Sequence, residues 1–199
     1  MEYSEGDIIN DHIEPHRDLF KRINHKSVIE FGLGVGTQFF LDNCEFVTSV
    51  ELFTKDKELA AKLHISNETW MGKFKEKFAE YEWEVIGHEC SQEIIDAELD
   101  VTGYGKVQRE GNPTSDAYKK EIHELVDKVL KKHYDYAFVD AGSHLRGDII
   151  NELFDKVDVI GAHDTNNKLI YGYGRIIVPS NYRVEENPSG CGITFWIKK

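Results

Sequence analysis

Short apolar runs alternate along most of the chain with stretches whose apolar residues recur every three or four positions. Ile9, Ile13, Leu19, Phe20 and Ile23 form a broken helical stripe, and Pro15 suits a first helical turn, so a helix is predicted over residues 14–22. Residues 27–31 form a compact, mostly apolar strand pattern, and residues 46–50 form a second one that ends at Glu51. Helical patterns follow over 56–63 and 68–78, where Phe74 and Phe78 share a face four residues apart. Residues 81–87 alternate and predict a third strand, with His88, Glu89, Cys90 and Ser91 at its carboxyl end, where Glu89 to Ser91 would flank a ligand. A long helix is predicted over 115–133 from the stripe Ile122, Leu125, Val126, Val129 and Leu130, with Ser115 as its cap. A fourth strand over 134–140 ends at Asp140, a helix covers 148–154, and a fifth strand over 157–162 runs into His163-Asp164-Thr165. Residues 175–179 and 193–198, joined by the turn-rich stretch 187–192, predict a closing antiparallel hairpin.

Strands alternating with helices, followed by a hairpin, predict an α/β domain: a Rossmann-like three-layer sandwich with an antiparallel edge. A length of 199 residues fits one domain over 1–199, with residues 1–26 as an N-terminal helical segment. Residues 93–117 contain two clusters of turn residues and are expected to form an insertion or lid.

Composition narrows the function classes. A net charge of −12 argues against nucleic acid as the partner, because phosphate contacts need a basic face. There is no run of 18 apolar residues to span a membrane, and the acidic opening lacks the apolar core of a signal peptide. Cys44, Cys90 and Cys191 are odd in number and scattered, which suits neither zinc nor a disulfide framework, so a reducing, cytoplasmic setting is expected. Oligomeric state is not encoded in any pattern here.

The candidate chemistry begins where the first strand meets Gly32-Leu33-Gly34-Val35-Gly36. Glycines there let the backbone approach a ligand, and a helix from Thr37 would aim its N–H groups at it. A dinucleotide fingerprint needs its third glycine at position 37, which is Thr37, and no Gly-Lys-Ser/Thr follows for a P-loop. Glu30, just before the first glycine, would repel a pyrophosphate but suits an ammonium group. The pattern E-x-G-x-G-x-G thus favours a cationic, phosphate-free cofactor such as S-adenosylmethionine. Glu51 lies about 20 residues past the glycines, where an acid holds ribose hydroxyls in Rossmann-type sites. A plain βαβ turn with a surface glutamate is the structural alternative.

With these motifs, essentially the whole chain resembles the class I S-adenosylmethionine-dependent methyltransferases. The resemblance implies a seven-stranded sheet, order 3-2-1-4-5-7-6, with strand seven antiparallel. It implies that Glu30, Gly32, Gly34 and Gly36 cradle the methionine part of the cofactor and that Glu51 holds the ribose; Thr37 and Asp140 are further candidate cofactor-binding residues. The stretch Asp11-His12-Ile13-Glu14-Pro15 is similar to the acidic-His opening of a subgroup of small methyltransferases; helix capping in solvent is the other reading of His12. Asp140 and Asp164, at neighbouring strand ends, resemble the acids of metal-dependent O-methyltransferases, which implies Mg²⁺ at Asp140, Asp164 and Asn166. Here the pair after strand five is His163-Asp164, where the resemblance asks for two acids or Asp-Asn.

Asp140, His144 and His163 are the candidate catalytic residues, with either histidine a candidate general base. Tyr171, Tyr173 and the loop around residues 103–113 would border the mouth and cover a small polar substrate. The expected activity is methyl transfer to a small-molecule acceptor, at oxygen, with possible metal assistance. A non-catalytic S-adenosylmethionine-binding accessory protein and an NAD-dependent oxidoreductase are the competing readings.

Overall fold

The computed structural model describes residues 12–63, 66–101, 116–141, 145–166 and 171–199. Its elements run α1 (Ile13–Arg22), β1 (Ser27–Phe31), α2 (Thr37–Asn43), β2 (Phe46–Phe53), α3 (Lys57–Leu63), α4 (Glu68–Lys77) and β3 (Glu84–Glu89). There follow α5 (Gln92–Val101), α6 (Asp116–Val129), β4 (Tyr136–Val139), α7 (Arg146–Leu153), β5 (Val159–His163), β6 (Tyr182–Asn187) and β7 (Ile193–Lys198). The seven strands form one sheet in the order β3-β2-β1-β4-β5-β7-β6, as expected. β3, β2, β1, β4 and β5 pair in parallel, while β7 is antiparallel to both β5 and β6.

β1 lies at the centre and shows how the sheet is held. Its residues alternate between faces, so Ile29 and Phe31 join the core beneath α5, α6 and α7, while Val28 joins the opposite core beneath α1, α2 and α4. Each such side chain, once fully buried, contributes about 1.5–3 kcal/mol. Glu30 shares the face of Val28 and is only 1% exposed, so a carboxyl group sits where an apolar residue would normally go. That exception, at the carboxyl end of the central strand, is the first structural sign of a site.

Several boundaries differ from those read off the sequence, each for a packing reason. β3 begins at Glu84 rather than at residue 81. Tyr81 and Trp83 pack against the α4 side of the core, and Tyr81 donates to Asp42 at 2.5 Å, so the alternation there reflects packing rather than strand pairing. β2 continues to Phe53, which places Glu51 within the strand instead of at its end. Residues 92–101 form helix α5, with Ile94 and Ile95 buried; residues 102–115 of the expected insertion or lid lie outside the described residues. The strand expected over 175–179 is absent. Arg175 closes a short 3₁₀ turn (Tyr173–Arg175), Ile177 is 80% exposed, and the hairpin partner of β7 is the polar edge strand β6. α7 starts at Arg146, two residues before the predicted helix.

Candidate active site

The carboxyl ends of β1, β2, β4 and β5 bring the candidate residues to one edge of the sheet. On the β1–β2 side, the Gly32 amide donates to Val50 O at 2.9 Å, which turns the chain sharply at φ +106°. A Cβ on Gly32 would lie 2.5 Å from the Asp140 carbonyl, so this glycine is needed to let the loop close against β4. A Cβ on Gly36 would lie 2.5 Å from His12 Nε2, so Gly36 makes room for an imidazole. A Cβ on Gly34 would meet nothing within 4 Å, which makes Gly34 the glycine of the loop that faces open space. Thr37 Oγ1 accepts from the Gly34 amide at 3.1 Å, and Thr37 is also hydrogen-bonded to Glu30.

Two carboxyl groups lie under this loop. Glu30 accepts from Ser49 Oγ; burial pushes its pKa up to about 8, against the pull of the Ser49 and Thr37 hydrogen bonds. Glu51, 4% exposed, accepts from the Leu33 amide and from Ser66 Oγ; burial raises it to about 7, although both hydrogen bonds oppose the rise. Trp70 Nε1 donates to Leu33 O at 2.7 Å and so ties α4 to the glycine loop. A ligand with hydroxyl groups and a positive charge would satisfy both acids in their ionised forms. Of the residues expected to flank such a ligand, Glu89 accepts from Lys55 Nζ at 2.6 Å, Cys90 is buried, and the Ser91 amide donates to Glu121 on α6 at 3.2 Å.

The β4–β5 side is organised by a residue absent from the sequence reading. Arg146 opens α7 with a side chain only 6% exposed. Its Nη1 lies 3.0 Å from Asp140 Oδ1, donates to Asp164 Oδ2 at 2.9 Å and to His163 O at 3.1 Å, while Nε donates to Ala141 O at 2.6 Å. Tyr171 stacks over the guanidinium, 3.9 Å from its carbon to the ring centroid. Burial alone would raise the Asp140 carboxyl, but Arg146 and His163 outweigh it and hold Asp140 at about 2. Burial would lower Arg146, yet Asp140, Tyr173 and Asp164 raise it above its ordinary value. Asp164 adopts φ +60°, an uncommon conformation for a residue with a side chain, and there it reaches the guanidinium.

Of the expected residues, Asp140, His163 and Asp164 converge: His163 Nδ1 lies 3.4 Å from Asp140 Oδ1 and 3.8 Å from Asp164 Oδ2. Asn166 does not join them. Its amide donates to Pro188 O and Gly190 O at 2.9 and 3.0 Å, clamping the β6–β7 turn. The point between Asp140 and Asp164 holds a guanidinium nitrogen, so these three residues do not form the all-oxygen cage that Mg²⁺ requires. His12, Asp140 and His163 do place ligand-type atoms within 4.8 Å of one another, as do His163, Asp164 and Cys191. Tyr173 donates to His163 O and is buried, so it belongs to the wall of the site rather than to a cover. His144 and residues 103–113 lie outside the described residues.

His12 is buried at 3% exposure, its ring 4.8 Å from that of His163, which removes the solvent-exposed capping reading. The signal for Arg146 was present: a cation in the first turn of a helix opposes the helix dipole unless acids nearby hold it. The helical pattern in the sequence begins only at residue 148, which leaves Arg146 outside the predicted helix.

No family model and no curated protein matches the sequence. Solved structures do match. A protein from Staphylococcus aureus described as a candidate caffeoyl-CoA O-methyltransferase is 13% identical, with a TM-score of 0.57 over 94% of this chain and 82% of that one. A methyltransferase-like protein from Silicibacter pomeroyi is 14% identical, with a TM-score of 0.53 over 99% and 88%. The S-adenosylhomocysteine-bound methyltransferase PaMTH1 of Podospora anserina is 12% identical, with a TM-score of 0.52 over 100% and 90%. Among the described residues, no helix is long and apolar enough to cross a membrane.

Proposed function

We propose, from a chain that has the fold of the class I S-adenosylmethionine-dependent methyltransferases, that this protein transfers the methyl group of S-adenosylmethionine to an oxygen of a small molecule. The observation that carries the reading is the pairing of two buried acids with one glycine loop. Glu30 lies beneath the loop, Glu51 is hydrogen-bonded to its Leu33 amide, and Gly34 leaves open space above it. Glu51 would take the ribose hydroxyls; a cationic methionine end would favour the ionised form of Glu30, which burial alone disfavours; Gly34 lets that end pass. An ionised Glu30 beside the loop would repel a pyrophosphate.

Methyl transfer needs an acceptor atom held in line with the methyl group, which is mainly a positioning task. The acceptor would lie at the β4–β5 edge, where Asp140 and Asp164 keep side chains 27% and 23% exposed. His163 is the candidate proton acceptor. Asp140, held ionised by Arg146, orients its Nδ1 and favours the imidazolium that forms. An oxygen acceptor is favoured by that base and by the O-methyltransferase description of the S. aureus neighbour. His144 remains a second candidate base from the sequence alone.

The test is transfer of an isotope-labelled methyl group from S-adenosylmethionine to a panel of small hydroxylated compounds, read by mass spectrometry. Label should appear on an acceptor oxygen and disappear with Glu51→Ala. Cofactor binding without transfer to any acceptor class would favour the accessory-protein reading.

A further inference from the structure

We propose that Arg146 is a built-in cation. It permanently holds the position between Asp140 and Asp164 that a divalent metal would need, so the acceptor site runs on a guanidinium in place of a metal. Four observations converge on this. One nitrogen, Nη1, lies 3.0 and 2.9 Å from the two carboxylates. The side chain is also anchored by Ala141 O and His163 O and is covered by Tyr171. It is 6% exposed, and leaving would strand two converging, partly buried acids without a counter-charge. The side chain of Asn166, the remaining neutral oxygen ligand of a hard-metal site, is held at the β6–β7 turn through its amide nitrogen.

The substitution changes the chemistry the site supplies. A guanidinium stays charged and offers only donors, so it neutralises and orients Asp140 and Asp164 but cannot bind an acceptor oxygen as a Lewis acid. Removal of the acceptor proton then depends on a base beside it, which is the place His163 holds. Arg146 is thus a positioning residue that acts through the two acids. The proposal rests on the acceptor site described above only for this last role; the occupancy itself is tested without cofactor or acceptor.

The experiment is a titration of the full chain with Mn²⁺, followed by the loss of the free-ion electron paramagnetic resonance signal, and repeated with Zn²⁺ by calorimetry. The wild-type protein should bind neither ion at this site, and its methyl transfer should be unchanged in excess chelator. Arg146→Gln removes the cation but leaves the acids converging, so it should gain one Mn²⁺ site, roughly tenfold or more tighter than any residual wild-type binding, and Mn²⁺ should raise its melting temperature. Arg146→Lys keeps the charge and should not gain the site. One Mn²⁺ or Zn²⁺ per wild-type chain, lost in Asp140→Asn or Asp164→Asn, would overturn the proposal, as would a folded Arg146→Gln that gains no metal. If Arg146→Gln folds only with Mn²⁺, that supports the proposal; if it folds under neither condition, the wild-type and Arg146→Lys titrations decide it.

Discussion

Glu51→Gln isolates the charge that the cofactor reading requires. In the unliganded protein Glu51 accepts from the Leu33 amide and from Ser66 Oγ, and its pKa is about 7. Glutamine keeps the shape and one acceptor but turns a donor toward one of those donors. Hydrogen bonds to a charged partner are worth about 1.5–3 kcal/mol, so the affinity for S-adenosylhomocysteine should fall about 10- to 150-fold at pH 8. The wild-type protein should also show a pH dependence. With a pKa near 7, about a tenth of Glu51 is ionised at pH 6 and about nine-tenths at pH 8, so Kd should be about tenfold weaker at pH 6. Below pH 7, binding should release protons, visible as a calorimetric enthalpy that varies with the ionisation enthalpy of the buffer. Glu51→Gln should lose its part of that release. Identical Kd values at pH 6 and pH 8, together with an unchanged Kd in Glu51→Gln, would refute the assignment of Glu51 to the ligand.

Three further outcomes follow from the same geometry. Gly34→Val should fold normally, since its Cβ meets nothing within 4 Å, and should lose cofactor binding; Gly36→Ala should instead lower the melting temperature, because its Cβ would fall 2.5 Å from His12 Nε2. His163→Gln should reduce kcat by about 10²- to 10⁴-fold, the range for general-base catalysis, with S-adenosylhomocysteine affinity within about twofold of wild type by titration. Glu30 and Glu51 have folded-state pKa values of about 8 and about 7, raised from 4.5, so the native protein holds more protons than the unfolded chain between about pH 4.5 and 8. Their contribution to the stability of the unliganded protein is therefore lost as pH rises through that window, and Glu30→Gln should flatten the upper part of the decline in a thermal-denaturation series.

The architecture was largely legible because a buried parallel sheet writes itself as apolar runs: Ser27–Phe31 and Val159–His163 stand out without their partners. The edge strand β6 was not legible. Tyr182–Asn187 is half-exposed and charged, whereas the apolar stretch Ile176–Val178 has a strand-like pattern but leaves Ile177 and Val178 exposed. The glycine loop and its two acids were visible as spacing, but the separate duties of the three glycines were not. Only the neighbours of each missing Cβ show that Gly32 and Gly36 serve close packing while Gly34 faces open space. On the acceptor side, strand-end acids could be read one by one. What they hold could not, because the helical pattern begins at residue 148 while α7 itself begins at Arg146. His12 was likewise hidden: 151 residues separate it from His163, and nothing local announces that the two rings meet (163 − 12 = 151).

The central claim is that the glycine loop with Glu30 and Glu51 binds a cationic adenosine cofactor rather than a dinucleotide. Parallel calorimetric titrations of the wild-type protein and Gly34→Val with S-adenosylmethionine, S-adenosylhomocysteine and NAD⁺ test it most directly. The account predicts one saturable site per chain for the two sulfur compounds, none for NAD⁺, and loss of that site in a folded Gly34→Val. Saturable NAD⁺ binding, with no heat from either sulfur compound, would contradict it.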